Sequence, residues 1–319
     1  KIRTGKLAAG EVELIAGSEL AITTDESVPG TAELISTTYP HLAEDVNPGD
    51  RILLDDGLLE LSVKTTDKRA LVRTEVVHGG ILRSSKGINL PGKTPGLPAL
   101  TSKDLSDVEF GASKGVDYVA LSFVRKPGDV PEAMARAKAP VIAKIEKAEA
   151  LENIDEILRV ADGLMVARGD LGVEMPIEKV PAAQKRLIAL ANAAGKPVIT
   201  ATQMLRSMVE NPVPTRAEVT DIANAVLDGT DAVMLSEETA AGKHPLEAVR
   251  MMRRVLEETD PHVVPKEVTG GKSISIEDSI SQAAILMAEE LDAASIVVPT
   301  TSGGTARLIS RFRPRASIL

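Results

Sequence analysis

Short runs of alternating hydrophobic and polar residues fill the first 95 residues of the chain. Two of these runs, Arg51–Leu54 and Leu58–Val63, are separated by Asp55-Asp56-Gly57. An Asp-Gly pair between two apolar runs is a strong hairpin signal, and the pattern predicts no amphipathic helix of any length here. It therefore favours a small β-barrel or β-sandwich over residues 1–95, which is called the β region below.

Between residues 96 and 262, short apolar runs alternate with helical periodicity. The predicted strands are Val116–Phe123, Pro140–Glu146, Gly163–Asp170, Pro197–Gln203 and Ala232–Glu238. The predicted helices are Pro127–Lys138, Ala148–Val160, Glu178–Ala194, Thr215–Leu227 and His244–Glu258. A spacing of about 23 to 35 residues between successive strands is typical of βα repeats that form a parallel sheet.

Two parallel architectures fit this spacing, a (β/α)₈ barrel and an open, doubly wound sheet. Polar residues collect at the carboxyl end of every predicted strand, where the enzymes of the barrel class carry their catalytic residues, and this favours the barrel. Five βα units do not close eight strands, however. The expectation is therefore that further strands precede Lys1, with an open sheet as the alternative.

Residues 263–319 begin a third α/β segment. Here the pattern predicts a helix over residues 274–291, a strand over Ser295–Thr300, a helix over Ala306–Phe312 and the start of a strand at residues 316–319. The predicted apolar face of the first helix consists of Ile276, Ile280, Ala283, Ala284, Met287 and Leu291. This segment is too short to bury the core of an independent α/β domain. We therefore expect the sequence to be incomplete at both ends.

Composition narrows the class of function. The chain has no cysteine, which excludes disulfides, thiolate metal sites and cysteine nucleophiles. A net charge of −9, with three Phe, two Tyr and no Trp, argues against a nucleic-acid surface. No apolar run is long enough to cross a membrane, and the first residues do not resemble a signal peptide. The expectation is a cytoplasmic enzyme that acts on small molecules.

Two carboxylates and a lysine form a candidate metal site. Lys144 and Glu146 lie two residues apart on one predicted strand, so they share a face, although a surface ion pair explains this motif equally well. Asp170 ends the next strand, about 5 Å to the side. Both carboxylates can then bind one Mg²⁺, which prefers oxygen ligands. Because Mg²⁺ takes few protein carboxylates, phosphate or enolate oxygens of a substrate are expected to complete its shell.

Two loops are candidate anion sites. The turn Gly169–Gly172 opens a short helix, so its backbone N–H groups can bind an anion, and an ordinary strand-to-helix turn is the alternative. The second loop combines hydroxyls, glycines and a following helix, an arrangement suited to a phosphate. It consists of Thr300, Thr301, Ser302, Gly303, Gly304 and Thr305. Its alternative interpretation is a plain helix-capping loop.

Seven motifs occur in order along the whole chain, in the segments 1–5 (KIRTG), 85–92 (SKGINLPG), 122–125 (SFVR), 141–147 (VIAKIEK), 165–172 (MVARGDLG), 201–205 (ATQML) and 214–218 (PTRAE). Together they resemble the motifs of pyruvate kinases of the bacterial type. The resemblance implies that the β region is a mobile lid inserted after the third barrel strand. Residues 96–262 would hold barrel strands four to eight, and residues 263–319 would open the C-terminal α/β regulatory domain.

The resemblance implies a reaction and roles for the residues. Phosphoenolpyruvate would transfer its phosphoryl group to ADP, giving ATP and enolpyruvate, which is then protonated to pyruvate. Glu146 and Asp170 would hold Mg²⁺, with Mn²⁺ as an alternative, and Lys144 would stabilise the phosphoryl group and the enolate oxygen. The N–H groups of Gly169 and Asp170, with Thr202 nearby, would bind the substrate carboxylate. The proton would reach the enolate carbon by a route past Thr202 and Ser236. Arg3 and Lys86, with Asp56, would bind the nucleotide phosphates.

Regulation and assembly follow from the same resemblance. Residues Thr300–Thr305 would hold a phosphate of an effector, and Gly304, where relatives regulated by a bisphosphate often carry a basic residue, favours a monophosphate. Lys1 favours an enzyme independent of K⁺, whereas Thr4 is more typical of K⁺-requiring relatives, and we expect K⁺ independence. The expected assembly is a homotetramer. The effect of Glu237, where the family usually has a small residue, is left open.

Two alternatives to a pyruvate kinase remain at this point. One is a Mg²⁺-dependent aldolase of the phosphoenolpyruvate/pyruvate barrel group, which has no reason to carry the β region. The other is a catalytically silent scaffold or regulatory fragment.

Overall fold

The computed structural model describes residues 2–93, 100–263 and 275–319. The chain divides into two compact units, each described by itself below. The first consists of Lys1–Pro98 and Gly169–Glu178, and the second consists of Ala99–Arg168 and Lys179–Leu319. The three-domain division at residues 95 and 262 stays a prediction.

The first unit contains the β region. Its elements are β1 (Glu11–Leu14), β2 (Glu19–Thr23), β3 (Leu34–Ser36), α1 (Leu42–Asp45), β4 (Arg51–Leu54), β5 (Leu59–Thr66), β6 (Leu71–His78), β7 (Gly80–Arg83) and β8 (Ile88–Asn89). Six of the strands form one sheet in the order β3-β2-β6-β5-β4-β8, while β1 pairs with β7. Buried Leu, Ile and Val side chains of these strands, such as Leu20, Ile52 and Leu61, form a single core.

The hairpin predicted at the Asp-Gly pair is confirmed. Strands β4 and β5 are antiparallel, with Leu54 opposite Leu59. Asp55, Asp56 and Gly57 of the connecting turn have φ angles of 49°, 56° and 85°. Asp and Gly tolerate this left-handed conformation better than other residues, so the turn chemistry sets the register of the two strands.

The second unit alternates strands and helices. Its elements up to residue 259 are α2 (Ser102–Ser113), β9 (Val119–Leu121), α3 (Pro131–Ala137), β10 (Val141–Ile145), α4 (Ala148–Glu152), α5 (Ile154–Val160), β11 (Gly163–Ala167), α6 (Arg168–Glu174), α7 (Val180–Ala193), β12 (Val198–Ala201), α8 (Arg216–Asp228), β13 (Ala232–Met234), α9 (Glu237–Ala240) and α10 (Pro245–Thr259). All of α6 after Arg168 is grouped with the first unit. Four 3₁₀ turns accompany these elements, at Pro127–Asp129, Ile177–Lys179, Arg206–Val209 and Asp260–His262.

The five parallel strands β9 to β13 pair in the order in which they occur along the chain. In a doubly wound sheet the strand order reverses at one point, and no reversal occurs among the described strands of this sheet. A right-handed crossover that always advances by one strand is the winding of a (β/α)₈ barrel. The observed order therefore favours the barrel over the open sheet.

The two faces of this sheet bury different sets of side chains. One face packs Val141, Ala143 and Ile145 of β10 in a large cluster with α5 and α7. The opposite face carries a small cluster that includes Ile142 and Met165. Because strand side chains alternate between faces, Lys144 lies on the same face as Ile142, above the small cluster.

The predicted helices of this unit are present, with small differences. The segment predicted as one helix over Ala148–Val160 is two helices, α4 and α5, separated at Asn153. The Asn153 side chain donates hydrogen bonds to the carbonyl oxygens of Arg125 and Glu149, which competes with a continuous helix. Helix α2 was not predicted, because none of its side chains is buried and the apolar pattern is weak.

The segment after residue 274 contains α11 (Ile276–Glu290), β14 (Ser295–Ile296), α12 (Gly304–Ser310) and β15 (Ser317–Ile318). The strand start predicted at residues 316–319 is confirmed, since β15 pairs with β14 in parallel. The predicted apolar face of α11 is wrong, because Ile276, Ile280, Met287 and Leu291 are exposed. The helix instead packs through Ile285, which contacts Ile309 and Phe312, so the position of α12 selects the buried face.

Among the described residues, no helix combines the length and the apolar character needed to cross a bilayer.

Candidate active site

Lys144 and Glu146 form a buried ion pair at the carboxyl end of β10. Lys144 Nζ lies 2.6 Å from Glu146 Oε1, and the exposed fractions of the two side chains are 22% and 1%. Lys144 Nζ also donates to Ser122 Oγ at 2.8 Å, just past the end of β9. The interpretation as a surface pair is wrong, because a carboxylate with 1% exposure is removed from water and must be compensated inside the protein.

The second oxygen of Glu146 holds the backbone beyond β9. Phe123 N–H donates to Glu146 Oε2 at 2.8 Å, and Phe123 has a φ angle of 56°. An aromatic residue rarely adopts this left-handed conformation without support from its surroundings. Glu146 therefore links the ends of β9 and β10 as well as neutralising Lys144.

Arg168, directly after β11, links two further segments through a side chain that is 9% exposed. Its Nη1 lies 2.6 Å from both carboxylate oxygens of Asp221 on α8. Its Nη2 donates to the Thr202 carbonyl oxygen at 2.8 Å, and its Nε donates to the Ala201 carbonyl oxygen at 3.4 Å. Since guanidinium donors form a planar fork, one arginine fixes the position of the backbone at the end of β12.

Thr202 and Ser236 follow the neighbouring strands β12 and β13. Thr202 and Gln203 have φ angles of 70° and 56°, and Thr202 Oγ–H donates to the Ala201 carbonyl oxygen at 2.6 Å. Ser236 is half-buried. The two loops are joined by the buried Glu238, which accepts hydrogen bonds from Leu205 N–H and Ser236 N–H.

Gly169 and Asp170 lie in the first turn of α6, which begins at Arg168. Helix α6 packs in the first unit, where its Glu174 accepts a hydrogen bond from Asn89 Nδ2 of β8 at 3.1 Å. Both Gly169 and Asp170 are half-buried. Their roles toward a substrate carboxylate and a metal stay predictions.

The predicted nucleotide residues come together within the first unit. Arg3 Nη1 donates to the Ser85 carbonyl oxygen at 2.8 Å, next to Lys86. Lys86 Nζ lies 2.9 Å from Asp55 Oδ1, and Asp56 is the exposed next residue of the β4–β5 turn. Two cations and one acidic turn therefore share one end of the β region, and their role in nucleotide binding stays a prediction.

The loop Thr300–Thr305 leads into α12, which begins at Gly304 rather than at Ala306. Gly303 N–H donates to Thr300 Oγ1 at 3.1 Å, and Gly304 N–H lies 3.4 Å from Ser302 Oγ. Arg307, one turn into the helix, donates to the Ser302 carbonyl oxygen at 3.1 Å. The hydroxyls of the loop thus cap its own backbone, and the effector phosphate stays a prediction.

The oxygen donors of Glu146 fit a hard divalent cation by type. Within residues 2–93, 100–263 and 275–319, no three His, Asp or Glu side chains cluster closely enough to form a metal site by themselves. The metal site of Glu146 and Asp170 stays a prediction.

Comparison with known proteins shows the family of the chain. The family model described as pyruvate kinase, barrel domain, matches residues 1–249, and the model described as pyruvate kinase, alpha/beta domain, matches residues 278–319. The chain belongs to the pyruvate kinase family. The resemblance drawn from the seven motifs and the predicted fold class, a barrel with an inserted β region and a C-terminal α/β segment, are both confirmed.

Curated members of the pyruvate kinase family match over the whole chain. Pyruvate kinases of Bacillus licheniformis and Geobacillus stearothermophilus are each 50% identical over 100% of this chain and 56% of their own length. Pyruvate kinase 2 of Synechocystis sp. is also 50% identical, over 100% of this chain and 55% of its own length. The chain therefore spans about half the length of the curated relatives that it matches.

Sequence reasoning missed three residues that shape this site. Ser122 lies within a quoted motif, but its contact with Lys144 was not foreseen. Asp221 and Glu238 reach their partners across long stretches of chain, and no local periodicity marks them. Glu238 lies in α9, four residues after the end of β13, and the signal that the sequence offers is its place in the polar segment that closes the predicted strand Ala232–Glu238.

Proposed function

We propose that this protein, with its native termini, is a cytoplasmic pyruvate kinase that transfers a phosphoryl group from phosphoenolpyruvate to ADP, the last step of glycolysis. The observation that carries the proposal is the buried Lys144–Glu146 pair at the carboxyl end of β10, in a chain that belongs to this family. Barrel enzymes place their chemistry at that end of the strands.

The reaction needs charge stabilisation more than covalent catalysis. The bond between phosphorus and the enol oxygen breaks, a bond to a terminal phosphate oxygen of ADP forms, and the enolate oxygen keeps the electron pair. Lys144 Nζ has a fixed position, since it is held by Glu146 Oε1 and Ser122 Oγ. A preorganised ammonium group stabilises negative charge that develops on the phosphoryl and enolate oxygens.

Glu146 and Asp170 are the proposed ligands of Mg²⁺, or of Mn²⁺. The cation would neutralise charge on the phosphoryl oxygens and on the enolate. Glu146 is suited to this because its buried carboxylate, with 1% exposure, keeps a fixed orientation through its bond to Phe123 N–H. The backbone N–H groups of Gly169 and Asp170, with Thr202, are the proposed site of the substrate carboxylate.

Protonation of the enolate carbon completes the reaction and gives pyruvate. The proposed route passes the hydroxyls of Thr202 and Ser236, through water. Thr202 is held in its left-handed conformation by the bond from Arg168 to its carbonyl oxygen. Arg3 and Lys86, with Asp56, are proposed to bind the nucleotide phosphates when the β region closes, which excludes water and limits wasteful hydrolysis.

Finer properties are proposed on the resemblance to the family. They are a homotetrameric assembly, independence of K⁺, and regulation by a phosphorylated effector, a monophosphate, at Thr300–Thr305. Thr4, one of the two residues that bear on K⁺, is 1% exposed and accepts a hydrogen bond from Lys86 N–H. Lys1 lies outside the described residues. Strong activation by K⁺ relative to tetramethylammonium would contradict the expected independence.

A coupled assay for ATP formed from phosphoenolpyruvate and ADP tests the proposed function. ATP formation that depends on Mg²⁺ and on both substrates is the expected result. A protein that is folded but forms no ATP contradicts the proposal and favours the silent scaffold. Cleavage of a 2-keto acid aldol product to pyruvate, without ATP formation, favours the aldolase.

A further inference from the structure

We propose that Glu238 is a positioning residue that holds Ser236 so that the Ser236 hydroxyl stays available for proton transfer to the enolate. This inference rests on the proposed function. It assigns Glu238 an indirect role in the proposed proton route, exerted through Ser236 and not through contact with the substrate.

Glu238 is a carboxylate with 1% exposure whose hydrogen bonds go to two different loops. Its Oε2 accepts from Ser236 N–H at 2.8 Å, and its Oε1 accepts from Leu205 N–H at 3.1 Å. In the described part of the chain, no cation lies within ion-pair distance of it. Because a buried carboxylate is costly unless it is well hydrogen-bonded, these two N–H groups carry most of its stabilisation.

The hydroxyl of Ser236 is left out of the local structure. Ser236 occupies the N-cap position of α9, where a serine hydroxyl usually accepts a hydrogen bond from the helix backbone. Here the Ser236 side chain makes no capping bond, and among the described residues it has no hydrogen-bond partner. The Glu238 carboxylate accepts from the Ser236 N–H and not from the Ser236 hydroxyl, so the hydroxyl is left to bind water or substrate.

The backbone of Ser236 also needs external support. Its φ and ψ angles are −122° and −102°, outside the well-populated regions for L-residues. Such conformations persist where the surroundings determine them, and they concentrate at functional sites. The Ser236 carbonyl oxygen accepts hydrogen bonds from Thr239 N–H and Ala240 N–H. Glu238 holds the other side of this residue, through the hydrogen bond from Ser236 N–H.

Glu238 is itself anchored on a rigid surface. Leu205, its second partner, is fully buried in a cluster with Met204 and Met208. On the other side, a Cβ atom at Gly242 would lie 2.6 Å from the Glu238 carbonyl oxygen, so the turn after α9 packs tightly against the Glu238 backbone. Through its two hydrogen bonds, the Glu238 carboxylate therefore ties the position of the half-buried Ser236 to that of the buried cluster.

A double-mutant cycle on the protein with its native termini tests this role. The variants are Glu238→Gln, Ser236→Ala and the combination of both. Two readouts are measured, ATP formation from phosphoenolpyruvate and ADP, and deuterium exchange of the pyruvate methyl group in D₂O followed by NMR. The second readout reports proton transfer at carbon without phosphoryl transfer to ADP.

The expected result is a loss for Glu238→Gln on the order of 10-fold to 10²-fold in both readouts, as for a misplaced catalytic group, with KM for phosphoenolpyruvate little changed. In the Ser236→Ala background, Glu238→Gln should cause no further loss, because the two residues act through one hydroxyl. Glu237→Gln is the matched control, since Glu237 is exposed and its side chain forms a surface ion pair with Arg206 at 3.2 Å. It should change turnover by no more than about twofold.

Three outcomes overturn the inference. Additive losses in the double variant show that Glu238 acts on stability or on another group, and unchanged methyl exchange in Glu238→Gln shows that Ser236 does not depend on it. A parent protein that forms no ATP overturns the proposed function, and this inference falls with it. If Glu238→Gln does not fold, Glu238→Asp, which keeps the charge on a shorter side chain, supplies the same cycle.

Discussion

Lys144 Nζ lies 2.6 Å from Glu146 Oε1, yet the two side chains differ in exposure, at 22% for the lysine and 1% for the glutamate. The carboxylate of the pair is therefore shielded from solvent, whereas the lysine side chain is partly exposed to it. A cation held in this way keeps a fixed position while one side of it faces outward. This asymmetry is what the proposed phosphoryl transfer requires of a stabilising lysine.

Lys144→Met should reduce kcat by on the order of 10²-fold or more while KM for phosphoenolpyruvate changes little. The reason is that a preorganised cation acts on charge that develops only in the transition state. Steady-state kinetics measures both constants, and Lys138→Met, at an exposed lysine after α3, is the control. A large increase in KM at constant kcat would show that Lys144 binds the ground state instead.

Glu146→Gln should leave the fold intact and abolish turnover that depends on Mg²⁺. A glutamine oxygen can still accept the hydrogen bond from Phe123 N–H, but the neutral amide is a poor ligand for a hard cation. Circular dichroism checks the fold, and Mn²⁺ titration calorimetry measures cation binding apart from activity. Near-normal activity at ordinary Mg²⁺ concentrations is incompatible with the assignment.

Arg168→Lys should destabilise the protein by about 2 kcal/mol or more, because a lysine cannot hold Asp221 and the Thr202 carbonyl oxygen together. Turnover should fall as well, since Thr202 loses its support. Urea unfolding measures the stability. Arg159→Lys, at an arginine whose side chain is 72% exposed, should change it by about 0.5 kcal/mol at most. An equal loss of unfolding free energy in Arg168→Lys and Arg159→Lys would contradict the role assigned to Arg168.

Glu218 gives a pH-dependent prediction. Burial alone would raise the pKa of its carboxyl group, but hydrogen bonds donated by Ser207 and Thr215 hold the pKa below its ordinary value of 4.5. A carboxyl group with a lowered pKa in the folded state stabilises the protein above its unfolded pKa, and this stabilisation is lost as the pH falls through the folded pKa.

Glu218→Gln should therefore be less stable than the parent by about 0.5 kcal/mol near pH 7, because hydrogen bonds to a charged acceptor are stronger than those to an amide and solvent screens part of that difference. The difference should narrow as the pH falls below 4.5. Thermal unfolding between pH 3 and pH 7, with the exposed Glu258→Gln as control, measures it. A difference that stays constant with pH would contradict this account of the charge.

Ser302→Asp should abolish the response to a phosphorylated effector and leave basal turnover unchanged. In the parent, a sugar monophosphate or AMP at Thr300–Thr305 is expected to lower KM for phosphoenolpyruvate by favouring one domain arrangement. A carboxylate at position 302 would repel the phosphate. If neither compound changes KM or the thermal stability of the parent, the loop only caps α12.

Local features of the sequence determined the elements and the central pair. The Asp-Gly signal placed the β4–β5 turn, because few residues adopt its left-handed backbone. The alternation of strand side chains placed Lys144 and Glu146 on one face, because their spacing of two residues has only that consequence in a strand. Short apolar runs separated by helical periods predicted the parallel sheet, because parallel strands are joined by crossover connections that are usually helices.

Tertiary structure decided what depends on distant partners. The sequence placed Ile276 and Ile280 on the packed face of α11, but that helix packs through Ile285 because of where α12 lies. Arg168 and Asp221 are 53 residues apart, and Glu238 and Leu205 are 33 residues apart. Periodicity reports only which face a residue occupies, whereas the winding of β9 to β13 brings the strand ends together and decides which buried charge meets which donor.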